Sequence, residues 1–113
     1  MTDPVCQMAP LDFKDIDLTG DQTAQAVWTP ASGKSITLTG WTLTLTAAGT
    51  IKLMITSDTA ATRFVYLNVP ANGGESRQLQ DKQCIGLAGD DVIKVTTTGG
   101  GDLNGTLYGF EST

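Results

Sequence analysis

Residues 84–95 have the sequence CIGLAGDDVIKV, and residues 105–110 have the sequence GTLYGF after a Gly-rich stretch. The order is a short apolar segment, a Gly-Asp turn, a β-rich strand, a second turn and a closing strand. Short strands separated by turn residues in this way are typical of β-hairpins. This part of the chain therefore predicts an all-β protein.

Residues 35–46, SITLTGWTLTLT, give the clearest strand pattern in the chain. Apolar residues alternate with threonine in both halves, but the halves are out of phase by one residue at Gly40. A β-bulge at Gly40 would restore the phase, whereas a tight turn there would divide the segment into two strands. We favour the bulge because the segment has no Asn-Gly or Asp-Gly turn pair.

Seven further segments carry strand patterns of varying strength: 13–18, 25–29, 51–55, 63–69, 75–80, 92–98 and 105–111. No segment shows a sustained helical period with caps. About eight short strands at this spacing predict a single-domain antiparallel β-sandwich that is jelly-roll-like. Residues 1–12 are predicted to form an irregular N-terminal arm, and residues 13–113 the jelly-roll domain.

Two of these segments make specific predictions about side-chain direction. In residues 25–29, Ala26 and Trp28 are expected to share one face of the strand. In residues 63–69, Phe64 and Tyr66 alternate with three aliphatic residues, so both faces carry apolar bulk. Either this strand is central, or its second face meets a neighbouring subunit.

The balance of charge limits the classes of partner. The chain has 113 residues, a net charge of -5 and a pI near 4.3, and its lysines and arginines are scattered along the sequence. Nucleic acids and anionic membranes attract clustered positive charge, so we expect neither as a partner. No apolar run approaches the roughly 20 residues of a spanning helix. The N-terminus lacks the features of a secretion signal, and its initiator methionine favours a full-length product made in a cytoplasm.

Two cysteines, Cys6 and Cys84, are too few for a disulfide framework. We favour two buried free thiols, since cysteine is among the most buried residue types. The alternative is a Cys6–Cys84 disulfide, which would close a long loop outside a reducing compartment.

The sequence offers little material for catalysis. It contains no histidine, which removes the commonest general base and the commonest metal ligand. The two cysteines stand alone, and the glycines at 99–101 lack the Lys-Ser/Thr of a phosphate loop. We therefore predict a non-enzymatic protein with no catalytic residue, no cofactor and no metal site.

The acidic residues have structural interpretations. Asp15, Asp17 and Asp21 resemble the start of a calcium loop, but the closing acidic ligand is missing. We expect Asp15 and Asp17 to face solvent, since they alternate with apolar residues. Asp90 and Asp91 could form an acid/base pair, but a Gly-Asp pair suits a turn in which the Asp side chain bonds nearby amides. Nothing indicates the paired carboxylates of a glycosidase.

Residues 87–95 and 105–111 resemble the closing strands of small jelly rolls of the tumour necrosis factor and complement globular-head type. The chain is also similar to small proteins that decorate or cement the capsids of tailed bacteriophages. This second resemblance extends to its Thr- and Gly-rich strands, its acidic balance and its irregular arm. It implies a virion structural protein on the outer capsid surface, made in the host cytoplasm. The implied partners are the major capsid protein and further copies of the chain, commonly as a homotrimer.

The candidate contact residues are apolar residues of the arm and aromatic residues of the predicted strands. They are Pro4, Val5, Met8, Pro10, Leu11, Phe64, Tyr66, Tyr108 and Phe110. For the aromatic residues, burial in the core of the monomer is an equal alternative.

A glycan-binding module, or the receptor-binding tip of a phage fibre, is the alternative function. It requires Trp28 or Trp41 to be exposed in a groove. We favour core positions for the tryptophans, because Trp41 is in phase with the leucines that follow it.

Overall fold

The computed structural model describes residues 12–55, 63–79 and 84–112, which form nine β-strands and no helix. The strands are β1 (Asp12–Leu18), β2 (Gln25–Trp28), β3 (Ser35–Leu45), β4 (Gly49–Ile55), β5 (Arg63–Val69), β6 (Gly73–Gln78), β7 (Ile85–Gly86), β8 (Ile93–Thr98) and β9 (Leu103–Ser112). The prediction of an all-β protein is therefore confirmed.

The strands form two antiparallel sheets. Sheet A has the order β1-β9-β3-β6, with β7 also paired to β3, and sheet B has the order β2-β8-β4-β5. Since β9 lies along one edge of β3 for its whole length, β6 and β7 share the other edge like two pieces of one interrupted strand. With β6 and β7 taken together, the described residues form eight strands, in agreement with the prediction of about eight.

The pairing of the strands is nested. The first strand pairs with the last (β1 with β9), the second with the next to last (β2 with β8), β3 with β6 and β7, and β4 with β5. A chain folded back on itself in this way and wrapped into two facing sheets has the topology of a jelly roll. The jelly-roll-like sandwich predicted from the strand pattern is therefore the observed fold.

The bulge predicted in β3 is present. β3 is one continuous strand, and its register with β9 shifts between Leu38 and Gly40. A Cβ atom on Gly40 would lie 2.5 Å from the carbonyl oxygen of Arg77 on β6. This position therefore requires glycine, because the backbone of the neighbouring strand occupies the space of a side chain.

The core lies between the two sheets and is built from alternate positions of their strands. Its most deeply buried members are Trp28, Ile36, Leu38, Leu43, Leu45, Ile51, Leu53, Ile93, Val95, Leu103 and Leu107. Trp41 belongs to the same cluster, so the core position favoured for both tryptophans is confirmed.

Both buried indole N–H groups donate to carboxylates at the rim of the sandwich. Trp28 Nε1 donates to Glu111 Oε2 at 3.0 Å, and Trp41 Nε1 donates to Glu75 Oε1 at 2.9 Å. A buried tryptophan normally finds such a partner, because an unpaired N–H away from water is costly.

The prediction that Ala26 and Trp28 share a face is wrong. The register between β2 and β8 shifts between these two residues, so Ala26 is exposed while Trp28 is buried. A bulge inserts one residue and reverses the alternation that follows it.

The expected turn at Gly89-Asp90 is present, with a different detail. The positive φ of 64° belongs to Asp90 itself. Its carboxylate accepts a hydrogen bond from the Gly33 amide at 2.9 Å, and its own amide donates to the carbonyl of Lys34. Asp90 therefore joins its turn to the loop between β2 and β3, in line with the structural interpretation.

Cys84 is buried and disulfide-bonded. The favoured interpretation of a free thiol is therefore wrong for Cys84. The sequence contains one other cysteine, Cys6, which lies outside the described residues, as does the whole of the segment 1–11.

Candidate interaction surfaces

The outer face of sheet A is lined by hydroxyl groups and aromatic rings. On β3 and β9, Thr37 is paired with Phe110, and Thr42 with Thr106. The Tyr108 hydroxyl lies 3.3 Å from Thr42 Oγ1. We call these five residues the hydroxyl–aromatic face.

This face is uncharged. At the outward positions of β3, β6, β7 and β9 there is no lysine, arginine, aspartate or glutamate. Ser76 on β6 extends the row of hydroxyls, with its Oγ 3.2 Å from Thr42 Oγ1. Depletion of charge together with aromatic residues is the composition that marks the centre of protein–protein interfaces.

The edge strand β1 adds a different surface beside it. Phe13, Asp15 and Asp17 point outward, and we call them the acidic edge. Phe13 is 59% exposed and meets the Tyr108 ring edge-on, with 5.5 Å between the centroids. Asp15 Oδ1 accepts a hydrogen bond from the Thr106 hydroxyl at 3.3 Å. Both aspartates are exposed, as the sequence predicted.

The outer face of sheet B carries positive charge. Lys52 on β4 is paired with Tyr66 on β5, and its Nζ lies 5.3 Å from the centroid of the Tyr66 ring. Lys94 on β8 is two residues from Thr96, which pairs with Lys52, so the two lysines are diagonal neighbours on this face. Residues in such diagonal positions are about 7–8 Å apart. Tyr66 is 54% exposed. We call Lys52, Tyr66 and Lys94 the lysine face.

The two sheets differ in the sign of their charge. The strands of sheet B contain no carboxylate, and their charged residues are Lys52, Arg63 and Lys94. The strands of sheet A carry mostly carboxylates, with Asp12, Asp15, Asp17, Glu75 and Glu111 against Lys14 and Arg77. The fold therefore brings three of the scattered cations together in sheet B.

The predicted contact residues are distributed over several regions. Tyr108 and Phe110 lie half-buried on the outer face of sheet A, and Tyr66 lies exposed on the opposite side of the molecule. Phe64 is half-buried and packs against the core, with its ring 6.5 Å from that of Trp41.

The prediction that Phe64 and Tyr66 share a face is therefore wrong. A bulge in β5 places Phe64 between the two residues that pair with Leu53 and Met54, which turns its ring inward. The candidates in the arm, Pro4, Val5, Met8, Pro10 and Leu11, lie outside the described residues.

Two features of these surfaces were missed from the sequence. Phe13 is in phase with Asp15 and Asp17 on β1, so the sequence pattern could have predicted that its side chain points outward. Lys52 and Lys94 likewise alternate with buried aliphatic residues. The sequence could not predict that these two lysines lie close together, because this depends on β4 and β8 being neighbours in one sheet.

Glu111 fastens the end of β9 to the connection between β2 and β3. Its carboxylate accepts hydrogen bonds from Trp28 Nε1 and, at 2.8 Å, from the Ala31 amide. The pKa of Glu111 is lowered most by the hydrogen bond from Trp28 and next by the hydrogen bond from Ala31. Desolvation partly opposes this shift, and the positive charges of Lys14 and Lys34 lower the pKa further. Lys14 Nζ lies 5.6 Å from the centroid of the Trp28 ring.

Other kinds of site find little support in the part of the chain described here. Residues 12–55, 63–79 and 84–112 contain no group of three or more His, Cys, Asp or Glu side chains that could hold a metal ion. They also contain no helix long and apolar enough to cross a membrane. The two tryptophans that a glycan-binding groove would need are buried, at 1% and 3% exposure for Trp28 and Trp41.

In comparisons with known proteins, no family model, no curated protein and no solved structure matches this chain.

Proposed function

We propose that the protein is a non-enzymatic virion structural protein that decorates or cements a bacteriophage capsid through protein–protein contacts. The observation that carries the proposal is the uncharged hydroxyl–aromatic face on the outside of sheet A. The assignment to a tailed phage capsid rests on the resemblance of residues 87–95 and 105–111 to such proteins.

The chemistry of the hydroxyl–aromatic face suits attachment to a large protein surface. Tyrosine and phenylalanine supply wide contact area with few rotatable bonds, so little side-chain entropy is lost when they are covered. Threonine hydroxyls can donate or accept, and therefore adapt to either kind of polar group on a partner. A face without charge also avoids the cost of burying unpaired ions.

The rigidity of the scaffold supports the same function. The hydroxyl–aromatic face lies on β3 and β9, which are the two central strands of sheet A and also supply many core residues. Rigid strands hold a contact surface in one shape, which lowers the free-energy cost of binding. In this proposal the partner is the major capsid protein on the outer surface of the shell.

A binding experiment with undecorated shells tests the proposal. Purified protein is mixed with shells that lack it, and bound protein is measured by co-sedimentation and located by imaging. We expect saturable binding that Thr37→Lys weakens about tenfold or more, since a charge would be buried at the contact.

The matched control is Asn68→Lys, which adds the same charge at an exposed position of β5 on the other sheet. We expect this variant to bind shells as the unchanged protein does. If the unchanged protein fails to bind shells of any phage tested, or if Thr37→Lys binds equally well, the proposal is wrong.

A further inference from the structure

The acidic edge and the lysine face are alike in build and opposite in charge. Each combines one aromatic ring that is more than half exposed, Phe13 or Tyr66, with two charges of the same sign. Within the described part of the chain, no ion pair involves Asp15, Asp17, Lys52 or Lys94. The two aspartates are exposed and the two lysines are half-buried, so neither pair of charges is neutralised within that part of the chain.

The two surfaces cannot meet within one molecule. The acidic edge lies on the outer face of sheet A, the lysine face lies on the outer face of sheet B, and the core separates the sheets. Two copies of the chain can bring them together, because every copy carries one of each.

We propose that copies of this chain associate head to tail, with the acidic edge of one copy against the lysine face of the next. The charge complementarity of the two surfaces identifies the occupant as a second copy. Phe13 and Tyr66 would supply apolar area at the contact, surrounded by the charges. The inference rests on the proposed function, since it specifies how copies of a structural protein contact one another.

The symmetry of such a contact follows from the positions and the charges of the two surfaces. Because the surfaces lie on opposite faces of the sandwich, a twofold contact can use only one of them. It would then place aspartate against aspartate or lysine against lysine, which is repulsive. A head-to-tail contact joins different surfaces, so it closes into a ring or continues as a filament. The inference therefore excludes a twofold dimer through either surface.

Charge reversal provides the test. Association is measured by sedimentation velocity over a wide range of concentration at low and high salt. We expect the unchanged protein to associate, and high salt to weaken the association. The double variants Asp15→Lys/Asp17→Lys and Lys52→Glu/Lys94→Glu should each weaken it about tenfold or more.

Two combinations should restore association. The variant with all four reversals carries a basic edge and an acidic face, so it should associate with itself again. An equimolar mixture of the two double variants should form complexes in which the variants alternate. Circular dichroism of every variant confirms that loss of association is not loss of fold.

The control is Lys34→Glu/Arg77→Glu, which changes the net charge as much as the lysine-face variant but at other positions. It should associate as the unchanged protein does. A protein that is monomeric at every concentration overturns the inference. Folded lysine-face variants that still associate, or a folded four-reversal variant that does not, also overturn it.

These outcomes are separable from those of the shell experiment. A monomeric protein that binds shells refutes the head-to-tail contact and leaves the decorating function in place. A protein that assembles by charge complementarity but never binds a shell does the reverse.

Discussion

The two sheets are similar on the side that faces the core and different on the side that faces solvent. The inward positions of β3 and β4 are filled by leucine and isoleucine, together with Trp41 on β3. Outward positions are hydroxylic and uncharged on β3, whereas β4 places Lys52 there beside Tyr66. The inner sides agree because they share one core, whereas no common packing requirement acts on the outer sides.

The largest expected effect separates the inside of a strand from its outside. Leu107 and Thr106 are neighbours on β9, and Leu107 is fully buried while Thr106 points outward. We expect Leu107→Ala to lower the free energy of unfolding by roughly 2–5 kcal/mol, through lost burial and a cavity. Thr106→Ala should stay within about 0.5 kcal/mol. Urea denaturation measures both, and equal losses would contradict the assignment of faces.

The next effect concerns the close approach of β6 to Gly40, at the bulge of β3 in sheet A. Gly40→Ala would place a methyl group against the Arg77 carbonyl, and we expect a loss of about 1–3 kcal/mol. Gly86→Ala on β7 is the control, because no atom lies within 4 Å of its added Cβ and the residue is exposed. Thermal unfolding compares the two variants. If Gly86→Ala is the more damaging, β3 is not constrained as described.

A smaller, pH-dependent effect is expected at Glu111, which joins the two sheets through its hydrogen bond with Trp28. The pKa of Glu111 is lowered from its ordinary value of 4.5 in the folded protein, so its contribution to stability is present above that value. The contribution is lost as the pH falls through the lower, folded-state pKa. We expect Glu111→Gln to cost up to about 1 kcal/mol at neutral pH, since the group is near solvent.

The same variant should differ little from the unchanged protein at strongly acid pH, where the carboxyl group is protonated in both the folded and the unfolded chain. Chemical denaturation at a series of pH values measures the difference. A difference that grows as the pH falls would contradict the pairing of Glu111 with Trp28 and Ala31.

The smallest effects on stability are expected at the exposed rings. Phe13→Ala and Tyr66→Ala should each change the free energy of unfolding by less than about 1 kcal/mol. Both should nevertheless weaken association, since each ring would contribute apolar area to the proposed head-to-tail contact. Parallel measurements of unfolding and sedimentation test this, and a large stability loss with unchanged association would place these rings in a structural role.

Much of the fold could be predicted because alternation along a strand is a local property. The phase shift in residues 35–46 indicated either a bulge or a tight turn at Gly40, and the absence of an Asn-Gly or Asp-Gly pair favoured the bulge that is observed. The bulges beside Ala26 and at Phe64 left no such mark in the sequence. They arise from the register with neighbouring strands, which is decided by tertiary packing.

The candidate surfaces were harder to predict for the same reason. Alternation shows that Lys52 and Lys94 point outward, but only the sheet order shows that they are neighbours. The disulfide bond of Cys84 is similar, because it depends on which residues the fold brings together. Local signals therefore predict the direction of a side chain where no bulge interrupts the strand, and topology is needed to predict proximity.

The most direct test of the proposed head-to-tail contact is a dilution series, in which the amide chemical shift of each residue is followed from high to low protein concentration. We expect changes at two separate places, around Asp15 and Asp17 on β1 and around Lys52 and Lys94 on sheet B. Residues of the core such as Leu107 should change little. Changes confined to one outer face, or an absence of change at both, would contradict a head-to-tail contact.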